Sequence, residues 1–170
     1  MEQFYRIIQT GMGFIGIVAS ERGLRRVYLP ARTRAAIERA VRGAAPGVQE
    51  DGELSPELAD ELRRYFAGEA VEFRVRCDWR GHSEFEEDVW HACRRIGYGK
   101  TTSYGALAEA VGRPGGARAI GVAMSRNPCP IVVPCHRVLK SDGTLGGYSG
   151  PGGASFKQRL LDMEAAAVTV

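Results

Sequence analysis

At 170 residues, the chain suits one large domain or two small ones, with ample core for its size. Its 44% hydrophobic and 25% charged residues are ordinary for a globular protein. No apolar run approaches the ~20 residues of a membrane span, and Met1-Glu2-Gln3 lacks the basic and apolar regions of a signal peptide. A membrane protein is excluded and a cytoplasmic one expected. Cys77, Cys93, Cys129 and Cys135 form no C-x-x-C pair, and in a reducing compartment no disulfide is expected. The net charge is only +3, but its distribution is uneven. Residues 1–79 carry 12 Lys/Arg against 12 Asp/Glu, whereas Arg94 to Lys140 holds eight bases and one acid, Glu109. That excess fits either a polyanionic partner such as nucleic acid or a solvated face.

Residues 3–30 read as a β meander, with strands Phe4–Gln9, Phe14–Ala19 and Leu24–Leu29 around glycine turns. Thr33 caps a predicted helix over 34–43 with Ile37, Ala40 and Val41 on one face, and Gly43 to Gly52 reads as a loop. Ser55-Pro56 signals a helix start, a serine cap followed by proline at the first position. Leu58, Leu62, Tyr65 and Phe66 continue it at helical spacing. Val71 to Arg76 alternates like a strand. Residues 1–79 hold no catalytic constellation and form a scaffold domain; Asp78 to Ser83 reads as the linker to a second domain, 80–170.

A helix with Phe85, Val89, Cys93 and Ile96 on one stripe follows; Cys93 and Trp90 are core residues. Ser103 caps a short helix that Gly112 stops. After the turn Arg113-Pro114-Gly115-Gly116 a second helix covers 117–125. Two short helices around a glycine-bearing turn make a helix-turn-helix pattern. The second helix is built of small residues and one long base, Arg118. Such a helix either approaches a nucleic-acid backbone closely, with little base reading, or packs tightly on another helix.

Three prolines stiffen Asn127 to Val138, a predicted rigid, extended strut presenting Cys135, His136 and Arg137. Only a thiolate is a good nucleophile, and a neighbouring base or cation raises its fraction. Adjacent residues of an extended chain point to opposite faces, so His136 would act on Cys135 only through a bridging water or a local turn. Cys135 as a small buried hydrophobe is the competing reading. Ser141-Asp142-Gly143 reads as a hairpin turn and Gly146 to Gly153 as a glycine-rich loop without a Walker lysine. Ser155 to Gln158 fits a capping box opening the last helix. Phe156, Leu160 and Glu164 share a face there. An inward Glu164 would need a buried partner, His136 or Arg137; the other reading leaves it in water on a frayed turn.

These segments together resemble the O6-alkylguanine-DNA alkyltransferases. The resemblance rests on Phe85…Val89-Trp90, Ser103-Tyr104-Gly105-Ala106-Leu107-Ala108, Ala117-Arg118-Ala119-Ile120-Gly121 and Asn127-Pro128. Pro130 through Val138, Gly147-Tyr148-Ser149-Gly150, Lys157 and Glu164 complete it. It implies an α+β fold, with a small N-terminal sheet domain and a mainly helical C-terminal domain carrying the helix-turn-helix. It implies DNA repair by single-turnover transfer of an alkyl group from guanine O6 in double-stranded DNA, bound through the minor groove, to Cys135. In that scheme His136 deprotonates Cys135 through a water, Glu164 orients His136, and Asn127 ties the strut to the helices. Tyr104 contacts the lesion base and its phosphate, and Arg118 fills the gap left by the flipped base. Met124, Val138, Tyr148, Ser149 and Gly150 form the pocket, with Ser103 and Lys157 among the binding residues. No cofactor and no metal are implied, and the expected state is a monomer, with cooperative assembly on DNA left open. Glu86 stands where the family commonly has glutamine, a difference expected to affect capping. Two other readings are a helix-turn-helix binding module without chemistry, and a zinc nucleobase deaminase using His82-Ser83-Glu84 with Cys129 and Cys135. The deaminase signature needs P-C-x-x-C, which is absent.

Overall fold

The computed structural model describes residues 1–146 and 152–169. The chain divides into two compact units, Met1–Trp79 and Arg80–Val170.

In the first unit β1 (Gln3–Thr10), β2 (Gly13–Ser20) and β3 (Gly23–Ala31) form the antiparallel meander. The alternating β-rich runs and the glycine turns specify it. The predicted loop 43–52 contains a short fourth strand, β4 (Gln49–Glu50), which pairs in parallel with Phe4 and Tyr5 and completes the order β3-β2-β1-β4. Two residues give no periodicity to read. α1 (Arg34–Ala44) starts at Thr33, whose hydroxyl accepts from the Ala36 N–H. Ile37 and Val41 are buried with Tyr5, Val18 and Val48, while Ala40 is exposed rather than on the core face. The helix lies so close to the sheet that a Cβ at Gly16 would sit 2.7 Å from Ile37 Cγ2.

α2 (Pro56–Phe66) has proline at its first turn, but Ser55 makes no capping bond. Its φ of 48° is left-handed, which turns the hydroxyl away from the first-turn N–H groups. Val71 to Arg76 is extended without being a strand. Its buried-exposed alternation is real, with Val71 buried and Phe73 packed 5.7 Å from Tyr65, yet it has no ladder of its own. At its end Leu24 N–H donates to Arg76 O and Asp78 N–H to Leu24 O. Asp78 is no linker residue. Its buried Oδ2 accepts from Ser20 Oγ at 2.7 Å and Arg25 Nη1 at 3.1 Å.

In the second unit α3 (Glu84–Arg94) opens with a complete capping box between Ser83 and Glu86. Glu86 also pairs with Arg126 at 3.2 Å, so the glutamate does more than cap. Trp90, fully buried, donates to Ala123 O at 2.9 Å. β5 (Thr102–Ser103) leads into α4 (Tyr104–Ala110), which Ser103 caps by accepting from Ala106 N–H. Gly112, at φ 73°, ends it, with bonds from Gly112 N–H to Glu109 O and Arg113 N–H to Ala108 O; this is a Schellman closure. α5 (Ala117–Ser125) packs on α3 and α4.

The proline segment is a compact loop and not an extended strut. Val133 N–H donates to Cys129 O, and Ile131 takes a left-handed φ of 75°. Pro134, at φ −80° and ψ 64°, makes an inverse γ-turn, with Cys135 N–H donating to Val133 O. Cys135–Arg137 is then one turn of 3-10 helix. Proline pushes its predecessor away from helix but does not make a chain straight. β6 (Val138–Leu139) pairs in parallel with β5. α6 (Gly153–Val168) begins at Gly152, φ 83°, with no side-chain cap. The expected capping box at Ser155 is absent because the glycines allow the helix to start three residues earlier. Among the described residues no helix is long and apolar enough to cross a membrane.

Candidate active site

The one 3-10 turn places Cys135, His136 and Arg137 in different directions. Cys135 forms part of the wall of a cavity of about 860 Å³, within the ~300–1,000 Å³ usual for small-ligand sites. His136 and Arg137 meet Glu164, which α6 brings inward on the buried face shared with Phe156 and Leu160. His136 Nε2 lies 2.9 Å from Glu164 Oε1. Arg137 Nε donates to both carboxylate oxygens at 3.1 and 3.0 Å, and Nη2 to Oε1 at 2.6 Å. Arg137 Nη1 donates to Ile96 O at 2.7 Å.

The electrostatics set the protonation states. Burial pushes Glu164 up, but the hydrogen bonds and charges of His136 and Arg137 outweigh it and hold the carboxyl down at about 2. It is therefore a carboxylate, an acceptor only, and the proton of His136 sits on Nε2. Burial lowers the imidazole below its usual 6.5, against the pull of Glu164. The ring is neutral near pH 7, with its basic lone pair on Nδ1. Burial also raises the Cys135 thiol, opposed by a hydrogen bond to Asn127, the charge of Lys157 and the N–H groups of Cys135 and His136. The resting sulfur is thus protonated, next in sequence to a neutral base.

The other expected site residues fall into three groups. Tyr104, Arg118 and Met124 line the cavity with Cys135. Tyr104, raised by burial and by the cysteines, keeps its proton. A second group supports the site from outside the cavity. Asn127 Nδ2 donates to Val133 O and its Oδ1 accepts from Cys129 N–H, both at 2.9 Å, which closes the loop before Cys135. Ser103 caps α4. Val138 does not line the cavity; it is fully buried, and its carbonyl accepts from Lys157 Nζ at 2.7 Å. Lys157 is itself fully buried, 5.8 Å from the Tyr104 ring centroid, and is not a surface contact. Tyr148, Ser149 and Gly150 form the third group and lie outside the described residues.

Sequence reading missed Lys140, Asp142 and Gly146 as lining residues. Gly146 had a signal in the glycine-rich run: a Cβ there would lie 2.6 Å from Tyr104 Oη. Lys140 had one in the basic excess from Arg94 to Lys140, and Asp142 had none beyond its place in the predicted turn. The deaminase constellation does not form. His82 packs edge-on to Trp90 at 4.8 Å, and among the described residues no three His, Cys, Asp or Glu side chains are grouped to hold a metal.

A thiol in a cavity wall, with an imidazole in the same turn held by a carboxylate from α6, defines a nucleophilic-cysteine site. Residues 3–79 match the model of the 6-O-methylguanine DNA methyltransferase ribonuclease-like domain, and residues 84–166 match that of its DNA binding domain. The chain is 39% identical over 166 residues to the methylated-DNA–protein-cysteine methyltransferase of Mycolicibacterium paratuberculosis, covering 94% of this chain and 91% of the relative. The crystal structure of Mycobacterium tuberculosis O6-methylguanine methyltransferase superposes with a TM-score of 0.80 at 36% identity, over 97% of this chain and 94% of that one. The M. tuberculosis protein in complex with DNA gives 0.79 at 37% identity, over 96% and 94%. The protein belongs to the 6-O-methylguanine DNA methyltransferase family.

Proposed function

We propose that the protein repairs DNA by moving an alkyl group from O6 of guanine to Cys135. The observation that carries this reading is the Cys135 thiol in the cavity wall beside a neutral His136 held by the Glu164 carboxylate.

A guanine inside a duplex cannot present O6 to this sulfur, so its nucleotide is flipped out, at a cost of a few kcal/mol in stacking. α4, the turn and α5 act as a helix-turn-helix on the minor groove. The small residues of α5 admit the backbone, and Arg118 fills the vacated stack, offsetting part of that cost. Tyr104 donates its hydroxyl to the flipped nucleotide.

His136 Nδ1 takes the thiol proton through a bridging water, and the imidazolium is stabilised by Glu164. The thiolate attacks the alkyl carbon as the carbon–O6 bond breaks and its electron pair goes to guanine. Guanine regains one proton, so thiol plus O6-alkylguanine becomes thioether plus guanine, with no oxidant and no cofactor. Burial protects the thioether and each molecule acts once.

The test is intact mass after incubation with a duplex containing O6-methylguanine. We expect a gain of about 14 Da, one methylene, located at Cys135 by peptide mapping. Cys135→Ser should still bind the duplex and gain nothing. Equal mass gain in the serine variant, or none in the native protein, overturns the reading; the latter with intact DNA binding would leave a helix-turn-helix binding module.

A further inference from the structure

Lys140 is a residue of the cavity that the nucleophile and its supporting pair do not use. Thr102 pairs with Val138 and Ser103 with Leu139, so Tyr104 and Lys140 continue two adjacent parallel strands by one residue each. Both line the same cavity as Cys135. The lysine's backbone is held by a tight hairpin. Its N–H donates to Thr144 O at 3.0 Å and its carbonyl accepts from Gly143 N–H at 2.9 Å, with Gly143 at φ 81°. Asp142 closes the turn further, its Oδ1 accepting from Thr144 N–H at 2.9 Å and Thr144 Oγ1 at 2.6 Å.

The charges around this cavity are unequal. Arg118 and Lys140 line it as cations, and among the described residues neither forms a salt bridge. Asp142 is the acid in the described lining, and one of its oxygens is occupied by Thr144. A backbone held by the turn thus carries an exposed ammonium that shares the cavity lining with the Tyr104 phenol; it acts on Asp142, whose carboxyl it helps to lower, but among the described residues it forms no salt bridge. An uncharged base gives that ammonium nothing to neutralise. The phosphate attached to the same nucleotide does.

Building on the alkyl-transfer reading above, we propose that Lys140 binds the backbone phosphate of the everted nucleotide, next to the Tyr104 hydroxyl. A lysine suits this position because a point charge on a flexible stem follows a rotating phosphate without demanding one orientation. Arg118, on α5, serves the stack from another element. Lys140 therefore adds to duplex binding and nothing to the chemistry at sulfur.

The test uses the full chain. Binding is titrated against a duplex carrying O6-methylguanine over a salt series, in a Cys135→Ser background that leaves the lesion intact. Lys140→Ala should reduce the slope of log Kd against log salt by about 0.9, the release of one counterion. Its deficit should accordingly shrink about threefold between about 50 and about 200 mM salt. Lys140→Arg should keep the native slope. With Cys135 present, Lys140→Ala should lose far less on the free base O6-benzylguanine, which carries no phosphate, than on the duplex. An unchanged slope in the alanine variant, or an equal loss on the free base, overturns the proposal. If native protein binds the duplex with the expected slope but takes up no alkyl group, the alkyl-transfer reading fails while the phosphate contact is still measured.

Discussion

Asp78 and Glu164 are both buried carboxylates, and the protein uses them differently. Asp78, in the first unit, accepts from Ser20 and Arg25; Glu164, in the second, accepts from Arg137 and His136. Both obey the rule that a buried charge is paired and hydrogen-bonded. Arg25 stays partly solvated, with 26% of its side chain exposed, whereas Arg137 has 7% and His136 none. A guanidinium cannot exchange protons near neutrality, so an Asp–Arg pair is a clip. Replacing the hydroxyl partner with an imidazole turns the same clip into a proton-accepting device. Chemistry here is a change of one partner in an otherwise structural motif.

The largest effect expected from that comparison is for Glu164→Ala. It leaves Arg137 buried and unpaired, so stability should fall by about 3–5 kcal/mol and alkyl uptake should collapse; chemical denaturation and single-turnover kinetics check this. Glu164→Gln keeps the shape but loses the charge that supports the imidazolium. Its transfer rate should drop on the order of 10²-fold while the fold persists. A rate within a factor of two of native would refute the orienting role assigned to Glu164.

Two pH windows separate the pair's roles. His136 is depressed below 6.5, so the native rate should stay level as pH falls through 6.5 and decline only in more acidic buffer, where the base becomes protonated. Glu164 is depressed to about 2 from 4.5. Its stabilisation is complete above about 4.5 and lost as pH falls through about 2, and Glu164→Gln should remove that part of the acid sensitivity. Acid melts of native and variant protein measure the difference.

Asp78→Ala should cost less than Glu164→Ala, about 1–3 kcal/mol, because water reaches Arg25. Its rate on O6-benzylguanine should be native, since the clip holds no reacting group. The smallest change is at the surface. Arg64 and Glu69 pair at 2.8 Å with side chains 47% and 55% exposed, and Glu69→Ala should shift stability by no more than about 0.5 kcal/mol. A larger loss would mean that exposed pairs here carry weight comparable to the buried clips.

Much of this was readable in the sequence, where strong local signals acted alone. The meander, the Thr33 and Ser103 caps and the Gly112 stop follow from local backbone chemistry. The apolar stripe left Glu164 open between an inward and a solvated position, and the structure has it inward. Failures came where tertiary partners decide. Val71 to Arg76 has a strand's alternation but is not a strand, because alternation reports burial and not pairing. Gln49–Glu50 becomes one only because β1 offers it an edge. The proline loop misled because φ restraint was read as straightness, while Ile131 and Pro134 bend the chain into the turn that separates sulfur from imidazole. Lys157, expected among the binding residues, lies inside the domain, a placement no periodicity announces.

That buried lysine has a practical consequence for labelling. The chain has three lysines, Lys100, Lys140 and Lys157, and only Lys100 and Lys140 are exposed. Acylating reagents should therefore mark two side-chain amines, one at the cavity mouth and one at Lys100 as an internal reference. Their reactivities with and without oligonucleotide are readable by peptide mass without any engineered tag.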